Sequence, residues 1–398
     1  MTSFLPYGRQ NVDEADIQAV VDVLRTDYLT CGPKVTEFEQ AFAEAVGARH
    51  GVAMNNATAV LHVAMLVAEV GPGQRVVTSP NTFLASANCA AYVGATPDFS
   101  DIDPVTYNLA PVALEAGWQR DTRAVVAVDY GGQAANLPEI ARIARSRGAI
   151  VIEDACHGVG GAFRHEGRVW PQGGNPWADM AVFSFHPVKT MTTGEGGMLV
   201  TDNDEYARRA RLFRSHGMER DTSRFDFFGT AADFLAEAGP WAYEMQELGF
   251  NYRITDFQCA LGLSQLRRLP SLLARRREIV ARYNAAFASL PWLVTPGLRE
   301  PADADIASWH LYTVQIDFAR IGRSRTQVMA DLRQQGIGTQ VLYIPVHLQP
   351  WYRRTYGFGP GKCPAAEAYY TRALSLPLYP AMTAADVERV VEGVLELC

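Results

Sequence analysis

Several features that would direct a chain to a membrane, a nucleic acid or an oxidising compartment are missing here. Cysteine is sparse, with six in 398 residues. Cys31, Cys89, Cys156, Cys259, Cys363 and Cys398 are scattered without a CxxC pair or metal-type spacing. That argues against a disulfide frame or a metal centre and for reduced thiols in a cytosolic protein. No apolar run approaches the length of a membrane span. The opening residues MTSFLPYGRQNVDEAD carry no apolar signal core, so a soluble, cytoplasmic chain is expected. There is no long basic stripe, and the net charge is −7 with a pI near 5.7. Nucleic acid is therefore not the expected partner, although a local pocket can still attract a small anion. Internal repeats and low-complexity tracts are absent, and charged residues, 20% of the chain, are well mixed, which excludes extended disorder. At 48% hydrophobic, the chain can bury a sizeable core, and its length suggests two or three domains or subdomains.

What is present is an alternation of strand-like and helix-like segments over the first two-thirds. Strands are expected at His50–Met54, Arg75–Ser79, Thr96–Ile102, Arg123–Val128, Ala149–Asp154, Met180–Phe185 and Met198–Thr201. Helices are expected from about Thr58 to Val70, from Phe83 to Val93, and from Leu137 to Arg147 after Asn136. This pattern predicts an α/β domain with a mostly parallel sheet between helices. A helix opens at Thr255, where Gln258 completes a capping box, and is expected to end at Leu269-Pro270. An Arg-rich helix should follow from Ser271 to Leu290. The composition then shifts, and a small α+β unit is expected, with strands at His310–Asp317 and Thr339–Ile344, a helix capped by Ser324 with Gln327, and a terminal helix from Thr383. The expected division is 1–270 for the N-terminal segment and large domain, and 271–398 for the connecting helix and small domain.

The stretch SFHPVKTMTTGEGG (184–197) places a lysine in a tight loop between two apolar strands. A solvated loop lysine is the simple reading. Elsewhere, AIVIEDACHG (149–158) runs from a strand into Asp154, Cys156 and His157. In open α/β sheets ligands gather at the carboxyl ends of strands; a helix cap or a buried salt-bridge acid is the alternative. NNATA (55–59) lies between a strand and a helix, where the amides of Ala57 and Thr58 are free donors for an anion. An ordinary N-cap explains it equally, and neither GxGxxG nor GxxxxGK[ST] occurs. Together these parts suit pyridoxal phosphate, which needs a lysine, an acid for the pyridine nitrogen and an anion cradle. Lys189, Asp154 and Ala57–Thr58 supply them, and Ser184 adds a hydroxyl. The remaining hydroxyls and glycines of the loop would then wall the phosphate.

SFHPVKTMTTGEGG closely resembles the lysine segment of the DegT-type nucleotide-sugar aminotransferases, pyridoxal-phosphate enzymes of fold type I (aspartate-aminotransferase-like). LTCGPK (29–34), NNATA, EDACHG (153–158) and GFNYR (249–253) extend the resemblance along the chain. It implies Lys189 as Schiff-base lysine and proton carrier, and Asp154 on the pyridine nitrogen. It also implies Thr58, Ser184 and the Ala57 and Thr58 amides on the phosphate, Phe83 stacked on the ring and His157 near the ring hydroxyl. Asn251 would reach the cofactor of a second copy, giving a homodimer with shared sites. The cofactor would alternate with its pyridoxamine form. Because Lys189 is present, transamination is implied over the dehydration of members that carry histidine there. A non-catalytic regulator on the same scaffold is a further alternative. LFRSHGM (212–218), MQELGFNYR (245–253) and ALGLSQL (260–266) resemble the pseudaminic-acid-pathway branch. That branch aminates C4 of a UDP-linked 4-keto-6-deoxy-N-acetyl sugar with L-glutamate, giving UDP-4-amino-4,6-dideoxy-N-acetyl-β-L-altrosamine; amination of another nucleotide-linked keto sugar is the alternative.

Candidate substrate contacts are Lys34, His186, Arg214, His310 and Tyr343. Lys34 and Arg214 could meet a diphosphate or be solvated. His310 in WHLY (309–312) reads more simply as a packed core histidine, and His186 and His216 are similar. Leu342, before Tyr343, stands where related enzymes often have histidine. WPQGGNPW (170–177) and Glu219–Trp241 look like inserts that shape the substrate mouth or are solvated loops, the first more simply a solvated loop. Arg275, Arg276 and Arg277 read as the exposed side of a helix.

Overall fold

The computed structural model describes residues 4–226 and 240–398. Seven strands form the main sheet: β1 (His50–Met54), β2 (Arg75–Thr78), β3 (Thr96–Phe99), β4 (Thr122–Val128), β5 (Ile150–Asp154), β8 (Met180–Ser184) and β9 (Gly197–Thr201). The strands β6 (Ala162–His165) and β7 (Arg168–Pro171) make a separate hairpin. In space the main sheet runs β1-β9-β8-β5-β4-β2-β3. Only β9 is antiparallel to its neighbours. The expected mixed, mostly parallel sheet is thus present, between helices.

The strands are apolar on both faces because both are covered. On one side Val126 and Ile152 pack with Val60, Ala64 and Val67 of the helix Ala57–Val67. On the other, Val125 and Val151 meet Ile140 and Ile143, while Phe183 and Met198 meet Phe38 and Phe42. The helix expected from Thr58 to Val70 is this same helix. The one expected from Phe83 begins later, as Ala85–Tyr92, leaving Phe83 exposed ahead of it.

The break expected at Pro270 does not occur. One helix runs from Asp256 to Phe287 with Pro270 inside, so the division expected between 270 and 271 falls mid-helix. Proline removes one ladder bond, but one face stays buried on both sides of it. Cys259, Leu269, Leu272, Leu273, Arg276, Ile279, Val280, Tyr283 and Phe287 form that continuous stripe. Tertiary burial therefore outweighs the local break. The capping box at Thr255 and Gln258 is present, with the Thr255 amide donating to Gln258 Oε1 at 3.1 Å.

The C-terminal half of the helix leads into a small antiparallel sheet of β12 (Leu293–Val294), β13 (Tyr312–Ile316) and β14 (Ala373–Leu376). Tyr283 and Phe287 pack there with Tyr312, Val314, Leu374 and the helix Ala384–Leu395 through Val387, Val390 and Val391. The helix Arg325–Gln334 carries the expected Ser324–Gln327 capping box. The strand expected at Thr339–Ile344 is absent: only Gln340 bridges to Ser375. Beyond Gln340 the chain leaves the sheet, because the Tyr130 hydroxyl donates to the Leu342 carbonyl at 2.6 Å and holds it elsewhere.

Both inserts have a structural account. The Trp170–Trp177 segment is not a solvated loop: Gln172 and Asn175 are buried, and the Trp170 and Trp177 rings meet edge-on at 5.1 Å. Of Glu219–Trp241, residues 227–239 lie outside the described residues; its start pairs in a short ladder, β10 (Met218–Glu219) with β11 (Glu244–Met245). Among the described residues no helix is long and apolar enough to cross a membrane.

The expectation that Arg275, Arg276 and Arg277 line an exposed face fails at Arg276, which is 1% exposed. Its guanidinium donates to the carbonyls of Leu378 (2.9 Å), His310 (3.3 Å) and Trp309 (3.4 Å). Burial pushes its pKa down to about 10, so it remains a cation at neutral pH. Arg276→Ala is expected to lower the unfolding free energy by about 3 kcal/mol, since it leaves a cavity and orphaned carbonyls. Urea unfolding measures this, and an unchanged midpoint would show that those carbonyls find other donors.

Candidate active site

The sheet register assembles the site. Met54, Gly197 and Ser184 lie side by side across β1, β9 and β8. The chain turns after Met54 through Asn55 into the helix that starts at Ala57. The Asn56 side chain accepts from the Ala59 amide at 2.8 Å. The amides of Ala57 and Thr58 meet no acceptor among the described residues. Gly197 permits this closeness, because a Cβ there would stand 2.7 Å from the Ala57 nitrogen. Ser184, 6% exposed, ends β8 at the same edge.

Two strands from β9, Asp154 closes β5. Its Oδ2 accepts from the Ser86 hydroxyl at 2.6 Å and its Oδ1 from the Cys156 amide at 3.2 Å. Ser86 is a site residue that sequence reasoning missed. Its only signal was its place at the start of a helix following a strand's carboxyl end, where Phe83 drew the attention.

Lys189 lies between β8 and β9, turned by its amide on the His186 carbonyl at 2.8 Å. Burial is the first cause that lowers its ammonium pKa, while Cys156 and Asp154 oppose the shift. It is therefore not the solvated cation of an ordinary loop. The threonines near it do not wall an anion site as expected. Thr192 Oγ1 donates to the Phe185 carbonyl (2.9 Å) and Thr193 Oγ1 to the Glu195 carbonyl (2.8 Å), so they fold the loop itself.

His157 is buried beside them. The Gly131 amide donates to its Nδ1 at 3.3 Å, and its Nε2 lies 3.4 Å from the Tyr343 hydroxyl. An accepting Nδ1 places the ring proton on Nε2. Burial, then the Lys189 charge, holds its pKa well below the usual range. His310 packs on it with ring centres 4.4 Å apart. Gly132, at φ +100°, makes room for that: a Cβ there would stand 2.7 Å from the His310 amide. His310 is thus buried, as a core histidine would be, yet packed against the site. Tyr343 is held nearby, its ring 6.3 Å from that of Phe83.

The remaining candidates are engaged with other residues or exposed. Lys34 pairs with Glu37 at 2.6 Å. Arg214 is engaged by Glu39 and donates to the Ala53 carbonyl at 2.8 Å. Arg214 also borders a groove of about 830 Å³ with Thr30, His216, Arg220 and Arg253, which shares no lining residue with the Lys189 cluster. His186 and Asn251 are exposed, and the Asn251 backbone bridges to Ser215.

A half-buried amine, a fixed carboxylate, two free helix amides and a neutral imidazole at one sheet edge fit pyridoxal phosphate. The observation that favours it is the glycine-lined helix start, with unpaired amides next to a buried serine hydroxyl.

Comparison with known proteins agrees. The model of the DegT/DnrJ/EryC1/StrS aminotransferase family matches residues 10–395. The spore coat polysaccharide biosynthesis protein SpsC of Bacillus subtilis is 40% identical over 99% of this chain and 97% of its own. Helicobacter pylori PseC, an aminotransferase involved in the biosynthesis of pseudoaminic acid, superposes with a TM-score of 0.87 at 28% identity, over 99% of both chains. The putative sugar aminotransferase Spr1654 of Streptococcus pneumoniae, in its PMP form, gives 0.87 at 27% identity, over 99% of this chain and 98% of its own.

The lowered pKa of His157 and of His310 has a measurable consequence. Both rings are expected to stay neutral from about pH 8 to about pH 6, where an unperturbed imidazole would charge. The unfolded chain binds protons near pH 6.5 that these folded rings refuse, so their contribution to stability falls as pH drops below about 6.5. Nitrogen-15 NMR of labelled histidines checks this; titration of either ring near pH 6.5 would contradict it.

Proposed function

The chain belongs to the DegT/DnrJ/EryC1/StrS aminotransferase family, a family of pyridoxal-phosphate enzymes, and we propose that it moves an amino group from L-glutamate to C4 of a UDP-linked 4-keto-6-deoxy-N-acetyl sugar. That it is a sugar aminotransferase follows from the family and the solved neighbours. The C4 position, the nucleotide and the product UDP-4-amino-4,6-dideoxy-N-acetyl-β-L-altrosamine rest on the likeness to PseC and on LFRSHGM and MQELGFNYR. The observation that carries the catalytic reading is that Lys189, half-buried, has its ammonium pKa lowered at the same edge as Asp154.

When bound, pyridoxal phosphate supplies an electron sink for the carbon that gains or loses a proton. Lys189 would be the residue to which the cofactor attaches, and its Nζ would carry that proton. Desolvation favours the neutral amine this needs. Asp154, oriented by Ser86, would keep the pyridine nitrogen protonated. The amides of Ala57 and Thr58, the Thr58 hydroxyl and the Ser184 hydroxyl would hold the phosphate at the positive end of a helix. His157 would offer its Nε2 proton to the ring hydroxyl, and Phe83 would supply an aromatic face for the ring. Tyr343 and His310 border the substrate side. Leu342 packs with Tyr356 and Phe358 against an apolar cluster, and its side chain offers no proton.

Asn251 acts on the phosphate of a second copy, which makes the working unit a homodimer. The exposed apolar side chains of Tyr28, Leu29, Phe83, Leu84, Trp241 and Leu248 support such burial by a partner.

Lys189→Ala is expected to lower turnover on the order of 10⁴-fold, and borohydride treatment should leave no cofactor on the protein by intact mass. Persistent trapping would identify another lysine as the anchor. Co-expressed Lys189→Ala and Asn251→Ala chains are expected to regain activity at one of two sites, and no recovery argues against a shared site. Incubation with glutamate and a panel of 4-keto nucleotide sugars, read by product mass and regiochemistry, tests the substrate. Turnover of none of them, with normal cofactor attachment, would favour a non-catalytic regulator.

A further inference from the structure

Behind the Asp154–His157 turn lie two carboxyls that the proposed reaction does not use. Asp129 follows β4 and Glu153 precedes Asp154 in β5, and both are 0% exposed. The Asp129 amide donates to the Asp154 carbonyl at 3.0 Å, which ties the two strand ends together. Asp129 Oδ1 accepts from the Ala135 amide at 2.8 Å, and its Oδ2 from Gln172 Nε2 at 2.7 Å. Glu153 Oε2 accepts from Asn175 Nδ2 at 2.7 Å and from the Gly173 amide at 3.0 Å. Glu153 Oε1 is buried with no donor.

No arginine, lysine or histidine forms an ion pair with either acid among the described residues. The charged and titratable groups that face them are Asp154 and Cys156 on their own sheet edge, and Arg299 from the chain ahead of the small sheet. The insert that packs against them offers only the amides of Gln172, Gly173 and Asn175. Two anions in such a place would repel at low dielectric, and Arg299, which acts on Asp129 from a distance, forms an ion pair with neither among the described residues. Glu153 pairs in register with Ala127, so Asp129, two residues on, falls on the same face of the adjacent strand, and the consecutive residues Gln172 and Gly173 donate to one carboxyl each. A proton on Asp129 would give the missing donor to Glu153 Oε1.

We propose that Asp129 and Glu153 share one proton, and that this pair, latched by Gln172 and Asn175, is a positioning device for the Asp154–His157 turn. The proton sits on Asp129 and is donated to Glu153 Oε1, so the pair carries one negative charge spread over five hydrogen bonds. Burial, then the partner acid, raises the Asp129 pKa well above the carboxylate range, and burial lifts that of Glu153 to about 7. The mechanical consequence runs through glycine. A Cβ at Gly158 would stand 2.6 Å from Gln172 Nε2 and 3.0 Å from Asp129 Oδ2, so the turn after His157 rests directly on the latch. The Gly132 amide donates to the Asp129 carbonyl at 3.1 Å. That fixes the loop whose Gly131 amide holds His157 Nδ1. The insert at 170–177 is therefore a support for the site's floor and not a wall of its mouth.

The inference rests on the proposed function only for what the turn faces, and its test reads no turnover. Infrared spectra of the purified full chain at pH 7 are expected to show a buried, protonated carboxyl C=O band. Asp129→Asn and Glu153→Gln, each of which replaces the proton by an amide donor, should both remove it. Absence of the band in the parent protein, or its survival in both variants, overturns the shared proton. For the positioning role, the His157 ring nitrogen-15 shifts are expected to move in Glu153→Ala and to return toward the parent values in Glu153→Gln. Unchanged shifts in Glu153→Ala overturn it. Should Glu153→Ala fail to fold, Gln172→Leu gives the same reading, with unchanged shifts again counting against the role.

Discussion

Strand β9 holds the site together. It is hydrogen-bonded on both sides, to β1 and to β8, and it runs against both. In an otherwise parallel sheet this reversal brings the beginning of β9, at Gly197, to the edge where β1 and β8 end. The helix amides at Ala57 and Thr58, the Ser184 hydroxyl and the Lys189 loop thereby share one edge with Asp154. A parallel β9 would have carried Gly197 to the far edge, and the lysine loop would have become a long crossover. The close approach also depends on there being no Cβ at Gly197, since the helix start occupies that space.

Around this frame, burial sets the protonation states. Lys189, His157 and His310 are all biased toward their neutral forms by desolvation. The chain spends few ion pairs here. Asp154 is held by a hydroxyl and an amide, and Asp129 and Glu153 by amides alone. The Arg276 cation beneath His310 is met by carbonyl oxygens. Neutral dipoles of this kind fix geometry without pinning the amine or the imidazole in a charged state, which suits a site that must pass a proton.

Much of this was legible in the sequence. The strand and helix alternation, the capping boxes at Thr255 and Ser324, the terminal helix from Thr383, and the clustering of Lys189, Asp154 and Ala57–Thr58 all came from local pattern. The misreadings share a cause, which is that local rules lost to distant contacts. Pro270 should have ended a helix, but a buried stripe continues past it. Arg276 sits in a basic run that suggests solvent, yet the small domain closes over it. Residues 339–344 have strand composition, yet Tyr130, more than two hundred residues earlier in the chain, pulls Leu342 off the sheet. The Trp170–Trp177 segment is rich in glycine and proline like an exposed loop, but its amides serve two buried acids.

By itself, the sequence determined the α/β class, the family and the residues able to supply an amine, an acid and an anion cradle, because these depend on residue type and short-range spacing. Only the tertiary structure decided that Ser86 orients Asp154, that His310 packs on His157, and that Lys34 and Arg214 are engaged away from Lys189. It also decided that Asp129 and Glu153 lie side by side with no ion pair to either among the described residues. Those facts depend on which strand ends lie side by side and on what water is excluded from, and neither is set by neighbours in the chain.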